Sequence, residues 1–119
     1  MPSLENLGEA CDRATLDELR AEVDTLLPEL VRIFQSELTK ALDELARALE
    51  GYDCAAAARI AHTLKGSAGI FGATHMHEMA AKIDQAARAG QPAQAAAMFG
   101  EFRSECERVR DYLAATVTA

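Results

Sequence analysis

The sequence predicts an all-α protein, an antiparallel up-down-up-down four-helix bundle with an additional short N-terminal helix. Three observations carry this reading. Apolar residues recur at steps of three and four through most of the 119 residues, which is the spacing of one helix face. Four such stretches are separated by only a few residues, so consecutive helices must be neighbours packed antiparallel. No alternating apolar and polar run of strand type occurs anywhere.

The elements follow in order. Weak periodicity through Leu4, Leu7 and Ala10 makes residues 1–14 either a short helix or a loosely docked arm. Thr15-Leu16-Asp17-Glu18 has the form of a capping box, in which the Thr hydroxyl and the Glu three residues later satisfy free amides at a helix start. A short helix is therefore expected over about 15–24, with Leu16, Leu19 and Val23 on one face. Pro28 is tolerated only in a first helical turn, so a long helix should begin near Leu26. Its stripe runs Leu27, Leu30, Val31, Phe34, Leu38, Ala41, Leu42, Leu45 and Leu49, and Gly51 closes it. Ile33 lies off the stripe and is expected to meet the N-terminal helix. Asp53 is a fitting N-cap for the next helix, which should run through Ala55 to Phe71 and end at Gly72. Thr74 can cap a fourth segment with Met76, Met79, Ala80, Ile83 and Ala87 inward, ending at Gly90. Pro92 starts the last helix, which buries Ala95, Phe99, Phe102, Cys106, Val109 and Leu113. Residues 26–117 would form the bundle within a single domain spanning 1–119.

Composition bounds the function. A net charge of -7 argues against nucleic acid as a partner, because binding it requires Lys and Arg to neutralise phosphates. No basic segment precedes an apolar run at the N-terminus, and no eighteen consecutive residues are apolar, so a cytoplasmic protein without a membrane span is expected. Cys11, Cys54 and Cys106 are odd in number and far apart, unlike a zinc or redox pair, and read as free thiols of a reducing compartment. The Glu-x-x-His pairs of di-metal bundles are missing, and His75 and His77 fall nearly on opposite sides of their helix, so no metal site is expected. Lys65-Gly66-Ser67 lacks the strand, the glycine-rich turn and the residue order of a phosphate-binding loop. Ser67 points inward, where its hydroxyl should bond back to a carbonyl one turn earlier. A monomer is expected, although the sequence leaves oligomeric state open.

The chemistry concentrates in Ala61-His62-Thr63-Leu64-Lys65-Gly66-Ser67-Ala68-Gly69-Ile70-Phe71-Gly72. Gly66 and Gly69 lie inside a helix, where each costs roughly 1 kcal/mol relative to Ala. At 100° per residue both fall within roughly 40° of His62. Ala55 and Ala58 extend this strip backwards, and Arg59 and Lys65 flank the ring. Ala57, Ile60, Leu64 and Phe71 form the opposite, inward face. An exposed imidazole on a smooth surface with two cations beside it suits a macromolecule that docks closely and reacts with the ring.

His62-Thr63-Leu64-Lys65-Gly66-Ser67, with Gly72 at the helix end, resembles the signature of histidine phosphotransfer (HPt) domains. The similarity in layout covers nearly the whole chain. It implies a bundle of this size that relays phosphoryl groups between aspartates of receiver domains, in response regulators or hybrid histidine kinases, acting as carrier and substrate and not as an independent enzyme. By position, His62 resembles the phosphoacceptor, Lys65 the cation that meets the phosphoryl group, and Gly66 the residue that clears room for it. Ile70 departs from the small or polar residue many members place there. No cofactor of its own is implied, since the receiver would supply magnesium and the acidic pocket. No kinase ATP-binding domain or receiver is evident in the sequence, so a stand-alone relay is expected.

Arg59 and Lys65 would disfavour the protonated ring, leaving the nucleophilic form, and would attract the phosphoryl dianion once attached. Ala55, Ala58, Arg59 and Gly69 would contact the partner, together with apolar residues of an adjacent helix. Counting back from Gly72 sets residues 82–86 of the neighbouring helix level with His62. Lys82 and Gln85 are then candidates for touching the imidazole or phosphate, the alternative being solvated surface residues. Two other readings compete: a module that sequesters a receiver or kinase without phosphotransfer, and a purely structural bundle.

Overall fold

A computed structural model describes residues 9–117. Five α-helices follow one another: α1 (Arg13–Val23), α2 (Leu27–Glu50), α3 (Cys54–Ile70), α4 (Thr74–Arg88) and α5 (Pro92–Thr116). One 3-10 turn, Asp24–Leu26, links α1 to α2. Helices α2 to α5 form the bundle. Each packs on its neighbours in sequence, and α5 returns to α2, so the ring closes around one apolar core. No helix among the described residues is long and apolar enough to cross a membrane.

The long stripe behaves as its spacing requires. Leu27, Val31, Phe34, Leu38, Leu42, Leu45 and Leu49 of α2 are buried against Ile60, Leu64, Met76, Ile83, Phe102, Val109 and Leu113. Ile33, expected to meet the N-terminal helix, is 52% exposed. It lies about 100° from Phe34 around α2, beyond the edge of the buried face.

Helix lengths explain the N-terminal element. At 1.5 Å per residue, α3 with 17 residues is about 10 Å shorter than α2 with 24. Phe71, just past α3, packs against Phe34 with ring centroids 4.9 Å apart and the rings tilted by 41°, so the Leu27–Ile33 end of α2 projects beyond the α3–α4 turn. Helix α1 and the residues before it cover that end. Ala10, Cys11 and Leu16 are buried there, the Asp12 N–H donates to the Gly72 carbonyl at 2.6 Å, and Arg20 reaches the Thr116 carbonyl at 3.5 Å.

Several boundaries differ from those expected. Helix α1 starts at Arg13, because the Asp12 carboxylate accepts from both the amide and the hydroxyl of Thr15. Those bonds hold the Asp12 carboxyl below its ordinary range. Thr15 is thus inside the helix, and the expected capping box with Glu18 does not form. The arm or helix expected over residues 1–14 lies, for residues 1–8, outside the described residues, and Glu9–Asp12 is not helical. Asp53 caps α3 as expected, accepting from the Ala56 amide at 3.0 Å. Ala73, not Thr74, is the N-cap residue of α4. Gly51 follows α2, but the left-handed residue of that turn is Tyr52, at φ 53° and with its side chain exposed.

Candidate functional site

Helix α3 presents His62 outward, its side chain 58% exposed. That direction follows from burial of Ala57, Ile60, Ala61, Leu64 and Ala68 on the other sides of the same helix. Gly66, one turn on, is exposed, and a Cβ built on it meets no heavy atom within 4 Å. Nothing in the fold fills the space above that glycine. Ala55, Arg59 and Gly69 are exposed as well, while Lys65 is half-buried.

Ala58 departs from the expected strip. It is only 8% exposed, since it lies about 40° from His62 on the side that turns toward α4, opposite to Gly66. The two flanking cations divide in the same way. Arg59 faces α2 and lines a shallow groove with Glu37, Lys40, Glu44 and Thr63. Lys65 lies on the α4 side. The only back-bond from a hydroxyl of α3 among the described residues is made by Thr63, which donates to the Arg59 carbonyl at 3.1 Å; the bond expected from Ser67 is not formed.

Residues 82–86 of α4 lie level with His62, as expected. The residue that faces the ring, however, is Asp84. Its Oδ2 lies 3.5 Å from His62 Nδ1, while its side chain is only 8% exposed. Arg88, one turn further, donates from Nε to Asp84 Oδ1 at 2.6 Å. Lys82 and Gln85 point elsewhere. They are exposed beside Ala86, Gln91, Gln94 and Met98, in a groove between α4 and α5. About 160° and 100° separate them from Asp84 around the helix, which removes both from the α3 side.

A third α4 side chain completes the contact. His77 sits beside Gly69, where an added Cβ would be 3.6 Å from its Nδ1. Its Nδ1 is 2.9 Å from the Lys65 carbonyl. A carbonyl only accepts, so Nδ1 of His77 carries the proton in this bond. His77, Asp84 and Arg88 are spaced by seven and four, one face of α4, and that face meets α3 along Gly69, Lys65 and His62.

Asp84, Arg88 and His77 escaped the sequence reading. Their shared face was visible as a spacing, and Asp84 stood out as a charge between the core positions Ala80, Ile83 and Ala87. What the sequence lacked was the rotation of α4 against α3.

The arrangement suits nucleophilic chemistry at Nε2. An ionised carboxylate facing Nδ1 favours the proton on that nitrogen, leaving the Nε2 lone pair turned away from Asp84. Among the described residues no group of three or more His, Cys, Asp or Glu side chains is gathered as a metal ion would need. A family model described as Hpt domain matches residues 29–112, a stretch holding most of α2, all of α3 and α4, and most of α5. No curated protein and no solved structure matches the chain.

Proposed function

The chain belongs to the Hpt domain family, whose members carry phosphoryl groups and meet receiver domains in two-component signalling, and from that premise we propose that His62 is its phosphoacceptor. The chain then takes a phosphoryl group from the aspartate of one receiver domain, of a hybrid histidine kinase or response regulator, and passes it to another. The observation that carries this reading is the exposed His62 ring with Asp84 at its Nδ1 and open space over Gly66.

In the forward half-reaction the Nε2 lone pair attacks phosphorus. The Nε2–P bond forms, the acyl-phosphate P–O bond breaks, and the receiver's aspartate leaves as a carboxylate. The ring, still protonated on Nδ1, gains positive charge, which the Asp84 carboxylate stabilises. Lys65, and Arg59 from the other side, attract the phosphoryl dianion. Transfer to the second receiver reverses these steps. Magnesium and the acidic pocket belong to the receivers, so the chain works as carrier and substrate and not as an independent enzyme.

Ala55, Arg59, Gly66 and Gly69 form the contact strip in this reading. Two exposed apolar side chains extend it: Ile70, 58% exposed at the end of α3, and Ile33 on α2. A modest interface fits a carrier that must release each partner.

The test is His62→Gln. Incubated with a phosphorylated receiver, the variant should keep its helical circular dichroism and incorporate no acid-labile, base-stable phosphate. Label retained at the wild-type level would sink the assignment.

A further inference from the structure

Asp84 is a carboxylate out of water, and such a group persists in one ionised orientation only if its charge is met and its oxygens are bonded. Its two oxygens face two different partners. Oδ1 accepts from Arg88 Nε at 2.6 Å, and Oδ2 is directed at His62 Nδ1, 3.5 Å away. The Arg88 contact is the shorter and stronger, a charge-assisted bond between residues one helical turn apart. Rotating the carboxylate away from His62 would break it. Arg88 is itself 61% exposed, so as a surface ion pair it would contribute little to stability. Its consequence lies with the buried partner.

We propose that Arg88 is a positioning residue for phosphotransfer: by clamping Asp84 it keeps the carboxylate turned to His62, so that the ring proton rests on Nδ1 and the Nε2 lone pair meets the incoming phosphorus. This rests on His62 being the phosphoacceptor. It adds a residue that touches neither the ring nor the phosphoryl group.

The experiment uses phosphoramidate as donor, so that no partner surface enters. Nε2 attacks phosphorus, the Nε2–P bond forms, the P–N bond breaks and ammonia leaves. Two quantities are read on the full chain: the His62 tautomer, from long-range proton–nitrogen NMR correlations of the neutral ring, and the initial rate of His62 phosphorylation. The wild type should hold the proton on Nδ1. Arg88→Met should mix in the Nε2–H tautomer and slow phosphorylation about tenfold, the scale of one lost charged hydrogen bond. Arg88→Lys, which restores the charge without the fork, should recover part of both.

A folded Arg88→Met with the wild-type tautomer ratio overturns the proposal, whether or not its rate has changed. Should that variant lose its helical circular dichroism, Arg88→Ala takes its place, because alanine favours the helix and removes the donor to Oδ1. A shift of both readouts in folded Arg88→Ala supports the clamp, and a wild-type tautomer ratio refutes it. Absence of label at His62 in the wild-type protein would instead refute the phosphoacceptor reading itself.

Discussion

A methyl group added at Gly66 would touch no heavy atom within 4 Å, so the fold itself supplies no reason for glycine there. Helix propensity gives a reason against it. Gly66→Ala should raise the unfolding free energy by about 1 kcal/mol in urea titrations. If the vacant space serves an approaching phosphoaspartate, Gly66→Leu should remain folded and yet lose transfer from a phosphorylated receiver; undiminished transfer would remove the clearance role. The same residues mark how far the site could be read from the sequence. His62, Lys65 and Gly66 share one helix, where 100° per residue fixes their relative directions without knowledge of any neighbour. Asp84 and Arg88 lie across a helix–helix contact. Their direction depends on how α4 rolls against α3, a quantity set by the packing of Ala80, Ile83 and Ala87 and not by local spacing. Counting from Gly72 recovered the level of the contact but not its side, and so settled on Lys82 and Gln85.

The α3–α4 turn packs closely against the start of α1. Gly72 adopts φ +70°, a conformation that costs an L-residue roughly 1–2 kcal/mol. Gly90, which follows α4, is nearly identical at φ +69°. Their surroundings differ. A Cβ at Gly90 would meet nothing within 4 Å, whereas one at Gly72 would lie 2.8 Å from the Thr15 Cβ, with the Asp12 carbonyl at 3.2 Å. Gly90→Ala should therefore cost about 1 kcal/mol, the conformational part alone. Gly72→Ala should cost clearly more in the same urea titrations, because α1 must also shift; equal losses would mean that α1 yields freely. The start of α1 is likewise set by a tertiary contact. Thr15 and Glu18 offered a capping box, but Ala10 and Cys11 are buried at the turn, and this tertiary contact leaves Asp12 as the cap. Asp53 at α3 was legible because its cap is purely local.

On the scale of the molecule, the ring of four helices follows from short connections and uninterrupted stripes, both properties of the chain in sequence. The dependence of the bundle's open end on α1 does not, since it arises from the difference in length between α2 and α3. The cysteines can report on this division. Burial pushes the Cys11 thiol up to about 12 and raises Cys106 as well, so at a pH near 8 both remain protonated and shielded in the folded chain. Cys54, at the first position of α3, is only half-buried. Ellman's reagent should thus titrate one thiol quickly in the native protein and all three after unfolding. Cys11 belongs to the segment held by the Asp12–Gly72 bond and a long Arg20–Thr116 contact, while Cys106 lies in the middle of α5, 0% exposed. Segments with few tertiary contacts open at lower free energy than the core they cover. With increasing urea, Cys11 should become reactive before Cys106, which requires loss of the bundle. Simultaneous exposure of the two thiols would mean that α1 and the four-helix ring unfold as one cooperative unit, and that the cover at the end of α2 is as firmly built as the core beneath it.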